Sequence, residues 1–195
     1  MSSRLIVNSI RHTGASSDAI SLDSSGNVTC NGTATGFGGG KILQVLQTVK
    51  TDVFSTTSNS YVLVTGLTQA ITAASTSNKI LINVTLYGGC TGSNNVAGFK
   101  LAKDSTAMDG NTIGAASGNN AESGTFRFRT EAETHAEEAS FMFLDTPADT
   151  NSHTYGLLMK VFASTTGRLG TTGTNGNYDQ HMRCPCTITV MEVGA

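Results

Sequence analysis

Tryptophan is absent and all aromatics together make up 6% of the 195 residues, which removes the strongest stacking platform for a sugar ring. Charge is equally scarce: Asp, Glu, Lys and Arg account for 13%, against about a quarter in an average soluble domain. A net charge of -2 leaves no basic footprint, so neither nucleic acid nor an anionic lipid surface is an expected partner. No apolar run approaches the ~20 residues of a membrane span. Leu5, Ile6 and Val7 near the start are too few for the apolar core of a signal sequence, so synthesis in a cytoplasm without a signal peptide is expected, with no membrane insertion. The four cysteines, Cys30, Cys90, Cys184 and Cys186, are scattered without the regular framework of a small secreted domain and read mostly as free thiols.

What fills the polar positions is Gly, Ser, Thr and Asn. Hydroxyl and amide surfaces suit strands and turns, whereas helices are usually solubilised by Lys, Glu and Arg. At this length one domain with an appendage can bury roughly 70% of its unfolded surface. The sharpest compositional break is the glycine-rich run from Gly36 to Gly40, where the backbone is free to bend or swivel. It separates an arm at 1–36 from a head at 41–195, with a linker at 37–40. Within the arm, residues 5–10 and 19–22 are extended candidates, 23–27 reads as a turn, and Val28 opens another extended piece. Seven Leu, Ile and Val side chains between Arg4 and Cys30 cannot close a core alone, so the arm is expected to be ordered against a partner chain or a particle surface.

In the head, alternation of period two puts successive side chains on opposite sheet faces. Ile80, Ile82, Val84 and Leu86 form one apolar face, and Tyr155, Leu157, Met159 and Val161 another. Weaker strands are expected at 61–64, 96–102, 125–129 (with Phe126 and Phe128 inward), 139–144 and 187–193. Residues 41–50 fit a strand better than a short coiled coil, because Thr48 and Val49 are β-branched and glycines precede them. Residues 131–139 read as a charged loop or a short helix. Turn-rich stretches at 88–95, 104–120, 145–152 and 167–178 punctuate these segments. The expected fold class is all-β: an antiparallel β-sandwich, or jelly roll, behind an extended β-rich arm.

Chemistry is hard to find. There is no Gly-x-Ser-x-Gly. The stretch 36–41 fails as a phosphate loop, since Thr35 stands at the first glycine position and Ile42 replaces the Mg²⁺-binding hydroxyl. His12, His135, His153 and His181 sit in polar, loop-like context. Glu131, Glu133, Glu137 and Glu138 with His135 offer cation ligands but read more simply as a solvated acidic loop. His181, Cys184 and Cys186 offer soft ligands, yet Cys-Pro-Cys is too tight for the usual zinc spacing, and a disulfide or ordinary thiols are the other readings. No carboxylate pair can be assigned to glycan cleavage. The expectation is no enzyme, no cofactor and no metal. Asn94, Asn95, Asn175 and Tyr178 are candidate exposed binding-loop residues, either for a glycan or for solvent alone. Leu158 and Phe162, opposite the Tyr155 face, are surplus apolar residues of the kind a subunit interface buries.

The run Arg4-Leu5-Ile6-Val7-Asn8-Ser9-Ile10-Arg11-His12-Thr13-Gly14, followed by Asp18-Ala19-Ile20-Ser21-Leu22-Asp23-Ser24-Ser25-Gly26-Asn27-Val28, resembles the N-terminal repeat of fibre and other structural proteins of tailed bacteriophages, especially marine and cyanobacterial ones. Segments 44–62, 65–68, 77–82, 143–147 and 188–194 resemble a C-terminal domain of the same proteins. The resemblance implies a virion component made in a bacterial host, usually homotrimeric, with a jelly-roll head like those of receptor-binding tips. It implies particle docking through the arm, for which Leu5, Ile6, Val7, Ile10, Ile20 and Leu22 are the candidates, and it implies no reaction. A host surface glycan or protein is the possible outside partner. Long fibres of this group carry a shaft that is missing here, which favours a short appendage.

Overall fold

The computed structural model describes residues 7–30, 41–108, 110, 112–116, 124–179 and 181–195. Leu5 and Ile6 and the expected linker lie outside the described residues. The chain divides into two compact units, Met1–Gly39 and Gly40–Ala195, and the described residues contain strands and no helix.

The first unit carries β1 (Ser9–Ile10), β2 (Ile20–Leu22) and β3 (Val28–Cys30), an antiparallel meander in that order. Its β2–β3 turn is built by Asp23, whose carboxylate accepts from the Ser25 and Asn27 amides and from Asn27 Nδ2 at 2.7–2.9 Å, while Gly26 supplies the positive φ of 85°. The unit is thus more ordered than a plain extended strap. None of its described apolar side chains is buried: Ile20 and Leu22 are half-buried, and Val7, Ile10 and Val28 are exposed.

The second unit contains β4 (Ile42–Lys50), β5 (Phe54–Thr56), β6 (Val62–Thr72), β7 (Lys79–Cys90), β8 (Asn95–Lys103), β9 (Thr106–Ala107), β10 (Phe126–Thr130), β11 (Glu137–Asp145), β12 (Ser152–Val161), β13 (Gly167–Leu169) and β14 (Cys186–Val193). One sheet runs β10-β8-β12-β6, with β9 on β8; the other runs β4-β14-β7-β13-β5, with β11 on β7. Every pairing is antiparallel. The eight long strands therefore pair as β4-β14-β7-β11 and β6-β12-β8-β10, the double Greek key of a jelly roll.

The alternation seen in the sequence is the packing of this sandwich. Ile80, Ile82, Val84 and Leu86 of β7 face Tyr155, Leu157, Met159 and Val161 of β12 in one core, each at most 1% exposed. Phe126 and Phe128 do point inward, and ring pairs Phe99–Phe126, Phe126–Phe141 and Phe141–Phe143 at centroid distances of 4.9, 6.0 and 6.4 Å stitch β8, β10 and β11 together. Residues 41–50 form a strand, as expected, and 131–136 a turn leading into β11.

On the opposite side, between β4, β14 and the 73–78 turn, Glu192 is 1% exposed and accepts from Ala74 N, Asn78 Nδ2 and Gln44 Nε2 at 2.6, 2.6 and 2.7 Å. Those bonds, the Asn78 one foremost, hold its carboxyl below the ordinary value against the opposing effect of burial.

His153 departs from its loop-like reading. It sits in β12 and bridges Asp104 at 2.7 Å through Nδ1 and Asp149 at 3.0 Å through Nε2. Asp104 and Ser105, with φ of 52° and 64°, form the tight β8–β9 turn. The hydrogen bond that its Nδ1–H donates to Asp104 raises the imidazole above its ordinary 6.5 despite partial burial. A raised histidine stabilises the fold fully below its unfolded value and loses that contribution as pH rises through the folded one. Thermal melts should therefore show stability falling as pH rises above 6.5, and His153→Gln should flatten that decline; an unchanged slope in the variant would contradict the assignment.

Candidate assembly surface

Leu158 and Phe162 do not form the surplus apolar face expected of them. Leu158 is 9% exposed, flanked in register by Leu63 and Lys100, and Phe162 is half-buried under Lys160 Nζ at 4.6 Å from its ring. Lysine stems and Tyr61, over which Lys100 Nζ sits at 4.7 Å, already cover that side of the sheet.

The uncovered apolar surface lies on the other sheet. Because Ile80, Ile82 and Val84 point into the core, Leu81 and Asn83 point out, and the register extends that outer face across four strands. Val45 lies opposite Met191, Met191 opposite Leu81, and Leu81 opposite Leu144. The next row reads Gln47, Thr189, Asn83, Met142, and the third Val49, Thr187, Thr85, Ser140. None of the three rows contains a charge. Leu43, Val45 and Val49 on β4 and Met142 and Leu144 on β11 are 43–59% exposed. At ~4.8 Å between strands and ~6.8 Å between rows the patch covers on the order of 400 Å².

The edge adds to it. Among the described residues β4 pairs with β14 alone, and from Ile42 to Val49 it carries no charged residue, with Ile42 51% and Leu46 36% exposed on its other side. A long, uncharged, apolar edge strand is a template for association, which soluble proteins otherwise blunt with Lys, Pro or a bulge. The spacing of Ile42, Leu43, Val45, Leu46 and Val49 was visible in the sequence; that their strand is an edge was not.

The expected binding-loop residues converge in part. Asn94, at φ 60°, accepts from Arg129 Nη2 at 2.8 Å, and Asn95 donates to the Thr91 carbonyl, so both build the β7–β8 turn. That turn meets residues 131–136 and 172–181: Gly92 N donates to Glu133 Oε2 at 3.3 Å, Asn94 N to Glu131 O at 3.3 Å and Thr174 N to Glu133 O at 2.7 Å. Asn175 accepts from Arg183 Nη2 at 3.0 Å, whereas Tyr178 is 71% exposed and lines an open cavity of about 570 Å³ with Glu133, Thr134, Thr174, Asp179 and His181.

The suggested metal ligands do not converge. Glu137 and Glu138 are consecutive in β11 and point to opposite faces, and among the described residues no group of three His, Cys, Asp or Glu side chains is placed to hold an ion. All four cysteines are free. Burial pushes the Cys90 thiol up to about 11 and also raises Cys186, so both are poor nucleophiles.

No family model matches the chain, and none of the curated proteins matches it. Among solved structures it is similar to a chain in the structure of infectious bursal disease virus, Gx strain, at TM-score 0.39 and 15% identity, over 77% of this chain and 38% of that one. This chain thus spans well under half of that neighbour, and the functional argument rests on the surfaces above.

Proposed function

We propose that the chain is a non-enzymatic structural protein of a bacteriophage particle, a short homotrimeric fibre or appendage whose arm docks on other virion proteins and whose jelly-roll head is displayed. The observation that carries this reading is the uncharged outer face of the β4-β14-β7-β11 sheet, whose row Val45, Met191, Leu81 and Leu144 is apolar throughout, beside the β4 edge. Contiguous exposed apolar side chains of this kind often mark a contact site. The occupant is further copies of the same chain: a patch on the order of 400 Å² supplies the apolar centre of the ~800 Å² per partner that a stable interface buries, and the phage-like segments of the sequence imply a trimer. In a threefold ring every contact is equivalent and heterologous, so this face of one copy meets a different surface of the next.

Val7, Ile10, Ile20 and Leu22, with Leu5 and Ile6, are the docking residues of the proposal; Val7 and Ile10 are exposed in the three-stranded unit. Particles assembled with a chain lacking residues 1–36 should contain none of it, although the head remains folded by circular dichroism. Normal incorporation of the truncated chain would overturn the docking role. A second reading, a tip that binds a host surface glycan or protein, is favoured by the exposed Tyr178 at the cavity; it predicts that the trimer adheres to host cells and competes with infection.

A further inference from the structure

The four-stranded sheet that carries the three uncharged rows ends in two edges that fit each other. Among the described residues β4 pairs with β14 alone and β11 with β7 alone, and each strand is nine residues long. Both edges can therefore take a further strand. Because every pairing in β4-β14-β7-β11 is antiparallel, β4 and β11 run in opposite directions. Continuing the sheet past β11 with another β4 makes one more antiparallel pair. The two strands lie at opposite ends of the sheet, so that β4 must come from another copy.

The side chains match on both faces of such a joint. Keeping the rows level sets Val45 beside Leu144, Gln47 beside Met142 and Leu46 beside Phe143. The first two pairs are exposed on the outer face. On the core side Leu46 is 36% exposed and Phe143, stacked on Phe141 at 6.4 Å, is only half-buried, because each lies where the sandwich ends. Each edge thus lacks the cross-strand neighbour that the other supplies. The charges agree as well: β4 carries only Lys50, and β11 only Glu137, Glu138 and Asp145, so no like charges meet.

Three copies also fit by size. Four strands at ~4.8 Å make a side of about 19 Å, and three such sides stand about 5.5 Å from their common axis, near half the ~10 Å between packed sheets. Side chains of the three rows fill that interior. Four copies would stand about 10 Å from the axis and leave a channel. Resting on the homotrimer proposed above, we infer that the copies form a closed prism: β4 of each pairs with β11 of the next, and the uncharged rows face the threefold axis. The β4 strip of one copy meets the β11 strip of its neighbour, two different surfaces, as a threefold ring requires. Closure leaves neither edge to recruit a further chain.

The test is thiol cross-linking of the full-length protein carrying Cys30→Ser, which removes an exposed native thiol. Val45→Cys and Leu144→Cys are introduced together and singly, with Gln47→Cys and Met142→Cys as a second pair one row on. All four side chains are exposed in one chain, and circular dichroism confirms that the variants fold. After light scattering has given its mass, each protein is treated with a short bismaleimide and run on a denaturing gel beside the Cys30→Ser parent. Covalent trimers are expected from both double variants, and none from the single variants. Trimers by light scattering that give no covalent trimer from either pair would overturn the edge pairing and leave the proposed homotrimer standing. Cross-linking by Val45→Cys alone would overturn the prism in favour of a contact between two β4 strands. A monomeric wild-type protein would overturn both the prism and the homotrimer.

Discussion

Glu192→Ala should destabilise the head by about 4 kcal/mol, which for a chain of this size lowers the melting temperature by about 10 °C. The carboxylate lies among three donors, from Ala74, Asn78 and Gln44, at 2.6–2.7 Å. Asn78 is 6% exposed and has little access to replacement water. Removing the acceptor leaves buried donors unpaired, which costs more than the bonds contributed net. Glu192→Gln should cost about half as much, since one oxygen still accepts while the new amide faces donors. The acid limb separates charge from shape. A carboxyl lowered in the fold stabilises above its unfolded value of 4.5 and loses that contribution as pH falls through the folded one. The gap between wild type and Glu192→Gln should therefore close below about pH 4. Equal urea midpoints for wild type and Glu192→Ala would show that the network carries no stability.

Gly173→Ala should cost about 3 kcal/mol, because the added Cβ overlaps the Cys90 carbonyl and meets the Glu133 carbonyl at 2.8 Å. Both obstacles are backbone, so no side chain can swing aside. The same close approach lets Gly173 N donate to His135 O and joins the 131–136 turn to the 172–181 loop, so the variant should also lose the cavity. Gly114→Ala is the control: its nearest neighbour is the Gly124 carbonyl at 3.9 Å, and its midpoint should stay near wild type. A Gly173→Ala midpoint equal to that control would contradict the packing described.

Strands were legible where one face is buried and the other solvated. Ile80 to Leu86 and Tyr155 to Val161 alternate because the core lies on one side only, so period two reports burial directly. The same pattern says which side chains share a face and not what else covers it. Leu158 looked uncovered because it lies opposite the Tyr155 to Val161 face, yet Lys100 and Lys160 with Tyr61 lie on that side of the sheet. Edge position was hidden for a related reason: β4 differs from an interior strand by a missing neighbour, which leaves no mark on its own residues. β13 was lost in a glycine-rich stretch read as turn, although Gly88 is what allows the Arg168 carbonyl of β13 to approach β7. The cavity joins residues near 133, 174 and 181, and no local spacing foretells contacts between turns so far apart.

The most direct test of the assembly surface is the mass of the full-length protein in solution by light scattering, for wild type and for Val45→Glu and Leu144→Glu. Those side chains are 56% and 43% exposed in a single chain, so the substitutions should leave the fold intact. A trimeric wild type with monomeric, folded variants is the predicted result. A monomeric wild type, or variants that remain trimers, would contradict the account.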